Sequence, residues 1–124
     1  MQLNLENAHN PLRIQRYDRG EIQLADITYR NSLLLLPGLP RPQDWPLVDI
    51  GMLRPDDCAL FLEQRPEIVL LGSGAAHQFP SNDVLRFFQQ HRIGLEVMET
   101  GAACRTWNVL LNEERAVCAG LILA

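Results

Sequence analysis

The first clear pattern of hydrophobic and polar positions lies between Glu21 and Leu36. Apolar and polar residues alternate from Glu21 to Tyr29, and the run Ser32–Leu36 is then almost wholly leucine until Pro37-Gly38 ends it. This pattern predicts an N-terminal antiparallel hairpin of two strands, with its turn at Ala25-Asp26 or a bulge near Arg30-Asn31. The first twenty residues show little periodicity and carry turn signals, which indicates an irregular or short extended lead-in.

From Pro55 onward, segments of helical and of strand length alternate. The predicted order is helix from Pro55 to Pro66, strand Glu67–Gly72, helix from Ser81 or Asn82 to Gly94, strand Leu95–Glu99, helix with Thr100 as its N-cap, and strand Ala116–Leu123. The run Glu67–Gly72 is apolar throughout after its first residue, which is typical of a strand buried on both faces. We therefore expect a three-layer α/β fold with a mixed central β-sheet, helices packed on it and the N-terminal antiparallel hairpin, in one domain over residues 1–124.

Five of the eight prolines lie between Pro37 and Pro55, so this segment is no regular helix. We expect a surface loop there, with a short strand or turn around Leu47–Ile50. Trp45 lies in this loop, where it either covers the edge of the core, the favoured interpretation, or binds a partner.

Composition and charge narrow the class of protein. The net charge is −4, and the chain contains 11 Arg, no Lys and no basic run, which argues against nucleic acid as a partner. The three cysteines form no C-x-x-C pair, so we expect reduced thiols, no metal and no cofactor. No apolar run is long enough for a transmembrane segment, and Met1–Asn10 lacks the pattern of a secretory signal, which together predict a cytoplasmic protein.

Two segments are candidates for a binding site. The first is Gly72-Ser73-Gly74, which follows a buried strand at the end where α/β sheets bind ligands. His77 stands where a dinucleotide motif needs its third glycine, and a phosphate loop would need a lysine. A tight turn that requires a positive φ is the favoured interpretation of these glycines, and an anion site is the alternative.

The second candidate segment runs from Glu99 to Asn108. Cys104 and Asn108 share a helix face, and Cys104 could act as a nucleophile only with a base such as His77 or His91 nearby. Packing in the core is the favoured role for Cys104. Arg105 near a helix start needs a partner, which is Glu99, Glu96 or a bound anion. We assign no catalytic residue.

Three stretches carry a family resemblance: Pro66–Gly74, then Gly94–Thr100, with the Met98-Glu99-Thr100 motif, and Ala103–Leu110, with Thr106-Trp107-Asn108. Over about residues 15–124 the chain resembles the Mth938-like domain family of undefined function. Its relatives include archaeal and bacterial hypothetical proteins, the adipogenesis-associated domain protein and a mitochondrial complex I assembly factor. Glu99 stands where Asp is more frequent and Trp107 where Tyr is usual. The resemblance implies a three-layer α/β fold and protein assembly rather than catalysis, and it supplies no catalytic residues.

Three functional hypotheses follow. The first is a protein-interaction or assembly-factor-like module that binds an unidentified protein through the loop around Trp45 and the helix carrying Arg105; it should keep its function when Cys104 becomes Ser. The second is a small anionic-ligand-binding protein or enzyme, with its site between Gly72-Ser73-Gly74 and the helix near Thr100. The third is a homo-oligomer with a structural role. A deep pocket at that site with Arg105 unpaired would favour the second hypothesis, and an exposed apolar patch without any pocket would favour the third.

Overall fold

The structure, a computed structural model, describes residues 10–123. The expectation that Met1–Asn10 is not a secretory signal therefore lies outside the described residues, except for Asn10. Within the described range the strands are β1 (Ile14–Asp18), β2 (Glu21–Leu24), β3 (Ile27–Tyr29), β4 (Leu33–Leu35), β5 (Gln43–Asp44), β6 (Ile68–Gly72), β7 (Gly94–Met98) and β8 (Val117–Leu121). The α-helices are α1 (Ala59–Leu62), α2 (Asn82–Gln90) and α3 (Thr100–Asn112), and 3₁₀ turns span Ile50–Met52 and Pro55–Cys58.

The N-terminal strands β1, β2 and β3 form an antiparallel three-stranded sheet. Ala25 and Asp26 both have positive φ, 48° and 64°, which is the geometry of a tight hairpin turn, and the predicted turn at this position is confirmed. The predicted second strand of the hairpin is wrong in detail, because Ser32–Leu36 supplies β4 of the other sheet. The lead-in, predicted to be irregular or short and extended, contains the five-residue strand β1, which agrees with the extended alternative. That strand is short and irregular between Ile14 and Arg16, which hid its period in the sequence.

The second sheet has five strands in the order β5-β4-β8-β6-β7. Strand β6 runs parallel to both β7 and β8, whereas β4 runs antiparallel to β8 and to β5. The sheet is therefore mixed, as predicted, and β6 lies in its interior. The end of β6, the start of α3 and the chain after β8 lie close together. Ile122 N, after β8, donates to Gly72 O at 3.0 Å, and Thr100 N, at the start of α3, donates to Gly74 O at 2.9 Å.

Alternate residues of the interior strands enter two different cores. Leu70 and Leu121 pack with α3 and the three-stranded sheet, whereas Leu71 and Ile122 pack with α1, α2 and the proline-rich loop. Burial on both faces explains the nearly unbroken apolar runs in these strands. The three layers are therefore the small sheet with α3, the five-stranded sheet, and the loop with α1 and α2, which confirms the predicted fold class.

Local predictions fare differently. Of the strand or turn expected around Leu47–Ile50, the structure has a turn, the 3₁₀ turn at Ile50–Met52, and the short strand of this segment is β5 at Gln43–Asp44. After β5, Trp45 N still donates to Ser32 O, and Pro46 then has no amide to continue the ladder. The N-cap of α3 is Glu99, and Thr100 is the first helical residue. By contrast, Ser81 caps α2 as predicted, with its Oγ accepting from Val84 N at 3.3 Å.

Candidate functional site

Gly72 at the end of β6 and Gly74 in the loop after it are each required for a different steric reason. Gly74 has a φ of +105°, which L side chains rarely adopt, so the expected turn with positive φ is present. A Cβ on Gly72 would lie 2.9 Å from Thr100 Oγ1 and 3.0 Å from Thr100 Cα. Gly72 therefore lets the start of α3 contact the sheet directly.

Thr100 closes the junction between this loop and α3. Its hydroxyl donates to Ile122 O at 2.7 Å and accepts from Gly74 N at 2.9 Å, while Thr100 N donates to Gly74 O at 2.9 Å. Thr100 is fully buried. The Thr100 hydroxyl and amide and the Gly74 amide are thus satisfied within the protein.

Ser73 is likewise occupied within the loop. Its hydroxyl donates to Ala76 O at 2.7 Å and accepts from Gln78 N at 3.1 Å, so it fixes the turn that leads away from β6. His77 Nε2 lies 3.2 Å from Val97 O, and its ring contacts Phe79 edge to face at 4.6 Å. His77 thus lies against β7, and His91 lies against Phe87. Neither imidazole is positioned beside Cys104 to act as its base.

An open groove lies next to this junction, between β1 and α3, and we call it the Arg105 groove. It has a volume of about 210 Å³. Its walls are Ile14, Gln15, Arg16, Tyr17, Gly101, Cys104, Arg105 and Asn108. Arg105 pairs with Glu99 at 3.8 Å, and Arg16 with Glu21 at 3.7 Å; both arginine side chains are exposed, and the two glutamates are half-buried. The groove therefore presents two guanidinium groups whose existing ion pairs are long and solvated.

The Cys104 thiol in this groove is a poor nucleophile. Burial raises its pKa to about 12, although Arg105 acts in the opposite direction. Burial also raises the pKa of Tyr17, with the nearby Cys104 and Glu99 acting in the same direction. Both groups are therefore neutral near pH 7, and the thiolate required for covalent catalysis is scarce.

Asn108 holds β1 against α3. Its Oδ1 accepts from Ile14 N at 2.9 Å and its Nδ2 donates to Ile14 O at 2.8 Å. The Asn108 side chain therefore bonds both backbone polar groups of Ile14, as the backbone of a neighbouring strand would. Trp107 Nε1 adds a bond to Leu12 O at 2.8 Å. Trp107 and Asn108 thus anchor the N-terminal segment at Leu12 and Ile14, a role that the sequence did not reveal because these partners lie more than 90 residues away in the chain.

Trp45 covers the edge of the core, as the favoured interpretation expected. It is buried, its ring meets Phe61 edge to face at 6.5 Å, and a Cβ on Gly120 would lie 2.5 Å from it. Trp45 is also among the residues that line an open groove. Gly120 makes this position possible, because any larger residue in β8 would displace the indole.

The groove beside Trp45, which we call the Trp45 groove, has a volume of about 330 Å³. Its apolar walls are Leu34, Trp45, Pro46, Leu47, Leu53 and Leu60, and its acidic members are Asp44, Asp56 and Asp57. Sequence reasoning missed it, because its walls come from β4, the proline-rich loop and α1 together. The sequence did place Trp45 in a candidate contact loop, but not the residues of β4 and α1 that complete the groove.

The described part of the chain holds no group of three or more His, Cys, Asp or Glu side chains placed to bind a metal ion. Cys58 and Cys118 are buried apart from Cys104, and burial raises the pKa of each thiol to about 12. Between residues 10 and 123, no helix is both long enough and apolar enough to cross a bilayer.

Fold and grooves together define a class: a three-layer α/β domain in which a small antiparallel sheet is clamped onto a mixed sheet by one helix. The chain belongs to the family described as "Protein of unknown function (DUF498/DUF598)", whose model matches residues 14–122. A solved Bordetella pertussis protein described as a Mth938-like domain is similar in fold, with a TM-score of 0.75, 21% identity, and coverage of 99% of this chain and 92% of that one. The predicted family resemblance is confirmed.

Relatives with a closer sequence carry different names. The chain is 26% identical to the "13 kDa major membrane protein" of Francisella tularensis over 98% of this chain and 99% of that protein. It is 41% identical over 69 residues to human NADH dehydrogenase (ubiquinone) 1 alpha subcomplex assembly factor 3, covering 54% of this chain and 38% of that protein. The match therefore spans well under half of the length of the human assembly factor.

Two solved structures with higher sequence identity share the fold. The Xanthomonas campestris protein XCC1710 has a TM-score of 0.80 and 34% identity, covering 89% of this chain and 83% of that one. A protein of Bartonella henselae described as an outer membrane protein has a TM-score of 0.79 and 30% identity, covering 93% and 98%. The names of the relatives thus include both an assembly factor and membrane proteins.

Proposed function

We propose that this domain is a protein-interaction module of the assembly-factor type, and that it binds its partner through the Trp45 groove and the loop beside it. The observation that carries the proposal is a pair of exposed apolar side chains next to the groove. Val48 is 71% exposed and Met52 is 69% exposed, and they adjoin the groove residues Leu47 and Leu53 in sequence.

Hydrogen bonds on both sides of Val48 and Met52 fix the backbone that carries these side chains. Trp45 N donates to Ser32 O at 2.8 Å, and Leu47 N to Trp45 O at 2.7 Å. On the far side, Asp49 Oδ1 accepts from Gly51 N at 2.8 Å and Leu53 N donates to Ile50 O at 3.2 Å. An apolar surface that is already ordered loses little conformational entropy on binding, which favours a recognition role.

The names of relatives support the same class. One relative is named an assembly factor, and it matches this chain over about half of the chain's length. One fold can serve several functions, so we take from that name only the class of activity, association with another protein. The partner's identity is not part of the proposal.

The proposal is tested by capture from host lysate with tagged wild type and a Val48→Ser/Met52→Ser variant, followed by mass spectrometry. Ile27→Ser, an exposed apolar residue of the N-terminal sheet, is the matched control. We expect a partner that wild type and the control retain and the double variant loses. Capture of the same proteins by all three would contradict the proposal, and light scattering of the purified protein separates a partner from self-association into a homo-oligomer.

A second candidate function rests on the Arg105 groove. Arg16 and Arg105 both line it, and guanidinium groups bind carboxylates and phosphates in a fixed geometry. In this alternative a small anion displaces the weak Glu99 pair. Calorimetric titration of wild type and Arg105→Ala with inorganic phosphate tests it: binding that the variant loses supports an anion site, and no heat with either protein removes this candidate.

We also propose a reducing compartment such as the cytoplasm. Cys58, Cys104 and Cys118 are all free and buried, and free thiols persist where the environment is reducing. Because some relatives are named membrane proteins, the deciding measurement is fractionation of host cells with a salt wash of the membranes. Recovery in the soluble fraction or in the salt wash supports the proposal, and recovery only after detergent contradicts it.

A further inference from the structure

The Trp45 groove combines an apolar interior with an acidic border, and this combination limits what can occupy it. Trp45 and Leu53 are buried members of its walls, while Asp44, Asp56 and Asp57 are exposed. At about 330 Å³, its volume is at the low end of the range for ligand pockets, about 300 to 1,000 Å³. The space suits one or two inserted side chains rather than a large ligand.

The acidic border carries unneutralised charge. Among the described residues, none of Asp44, Asp56 and Asp57 forms an ion pair, whereas some other carboxylates do, such as Glu67 with Arg115 at 3.5 Å. Asp57 Oδ2 accepts from Arg54 N at 3.0 Å, so this carboxylate has a structural role. Arg54 itself is not among the residues that line the groove.

Charge complementarity then selects the occupant. A purely apolar segment would strip water from three carboxylates without compensation, which is unfavourable. An anionic membrane surface, and a second copy of this chain with its net charge of −4, would both be repelled. Lys or Arg side chains beside the carboxylates, with an apolar residue inserted between them, satisfy both parts of the groove.

We propose that the Trp45 groove binds a cationic amphipathic segment of a protein partner, with one aliphatic or aromatic side chain against Trp45 and Leu53 and basic residues beside Asp44 and Asp56. The inference rests on the proposed function and adds the chemistry of the partner. Recognition of an amphipathic segment by apolar anchors in a groove is a known mode of peptide binding, and the charged border sets specificity and association rate.

The test uses a displayed library of random dodecapeptides, selected on the wild-type protein at physiological salt. We expect the enriched peptides to carry Lys or Arg around an apolar residue. A synthetic peptide of the enriched sequence should shift the amide signals of residues 44–60 in nitrogen-15 spectra and bind more weakly as salt is raised.

The variant Asp44→Asn/Asp56→Asn removes charge without volume and leaves Asp57 to hold Arg54 N. We expect it to bind the selected peptide about tenfold more weakly, a loss of about 1.4 kcal/mol, and with a weaker dependence on salt. Asp26→Asn/Asp83→Asn removes the same charge elsewhere and should bind as wild type. Enriched peptides without basic residues, no enrichment, equal binding by the groove variant, or signal changes that spare both Leu34 and residues 44–60 would each overturn the proposal.

Failure here is distinguishable from failure of the proposed function. A captured host partner that needs Val48 and Met52 but binds Asp44→Asn/Asp56→Asn at full strength leaves the interaction module standing and rejects the cationic segment. A capture in which no partner depends on Val48 and Met52 rejects the proposed function itself.

Discussion

At the scale of single residues, Thr100 shows how a side chain that resembles part of a ligand site can instead complete the fold. Its hydroxyl joins the loop after β6 to the chain after β8 through Gly74 N and Ile122 O, in full burial. Buried polar groups that lose a partner retain their desolvation cost, so the junction depends strongly on this one oxygen.

Replacing Thr100 with Val keeps the shape and leaves Gly74 N and Ile122 O without that oxygen. We expect the free energy of unfolding to fall by about 2 kcal/mol, within the usual cost of an unsatisfied buried group. Thr106→Val is the matched control, because the Thr106 hydroxyl only reaches Met98 Sδ at 3.4 Å. Urea unfolding followed by circular dichroism measures both, and equal losses would contradict the assigned role of Thr100.

The buried thiols predict a dependence of stability on alkaline pH. Burial raises the pKa of Cys104 from 9.0 to about 12, so the folded state keeps its thiol proton over a pH range in which the unfolded chain loses it. Stability from the neutral thiol is therefore complete below pH 9.0 and is lost as the pH rises towards about 12. Denaturant midpoints measured across this range should fall less steeply in Cys104→Ala than in wild type; parallel profiles would show that Cys104 does not contribute.

At this scale the sequence predicted some roles and not others. The positive φ of Gly74 and the core position of Trp45 followed from local rules on turns and on aromatic residues. The role of Asn108 did not, because its partner Ile14 is brought to it only by the tertiary fold. Local rules predict conformation, whereas hydrogen-bond partners distant in sequence depend on topology.

At the scale of elements, α3 is the part that joins the two sheets. Asn108 bonds to Ile14 in β1 and Trp107 to Leu12, two residues before β1, while the opposite end of the helix abuts β6 at Gly72. The strands β6 and β8 and the helices α2 and α3 were predictable because the strands are continuous apolar runs and the helices have caps and an apolar face. Strand β1 was not, since its irregular register and its side-chain anchor replace an ordinary alternation.

Asn108→Ala should loosen β1 specifically. Both backbone groups of Ile14 lose their partner, so we expect a loss of about 2 kcal/mol in stability and faster hydrogen exchange at the Ile14 amide than at amides of β6. Asn112→Ala, an exposed change in the same helix, serves as the control. An unchanged exchange rate at Ile14 in Asn108→Ala would show that β1 is held by other contacts.

At the scale of the whole molecule, the two cores lie on opposite faces of the five-stranded sheet, and each contains one tryptophan. Trp107 belongs to the core with α3, and Trp45 to the core with the proline-rich loop. Because β4, β6 and β8 contribute to both cores through alternate residues, neither core can be lost without disrupting their shared sheet. We propose on this basis that the chain folds as one cooperative domain.

The two tryptophans report on that cooperativity separately. In Trp107→Phe the fluorescence comes from Trp45, and in Trp45→Phe it comes from Trp107. Each variant should be less stable than wild type, but within each one the fluorescence and far-ultraviolet circular dichroism transitions in urea should coincide. A fluorescence transition that precedes loss of secondary structure in either variant would show that its core unfolds independently.

The central claim is that the surface around the Trp45 groove contacts a protein partner, and site-specific photocrosslinking in host cells tests it most directly. A photoreactive phenylalanine analogue is placed at Val48, beside the groove, or at Val109, which is also exposed but lies on α3. We predict a discrete protein adduct from position 48 that position 109 does not give, and mass spectrometry of that adduct identifies the partner. No discrete adduct from position 48, or the same adducts from both positions, would contradict the claim.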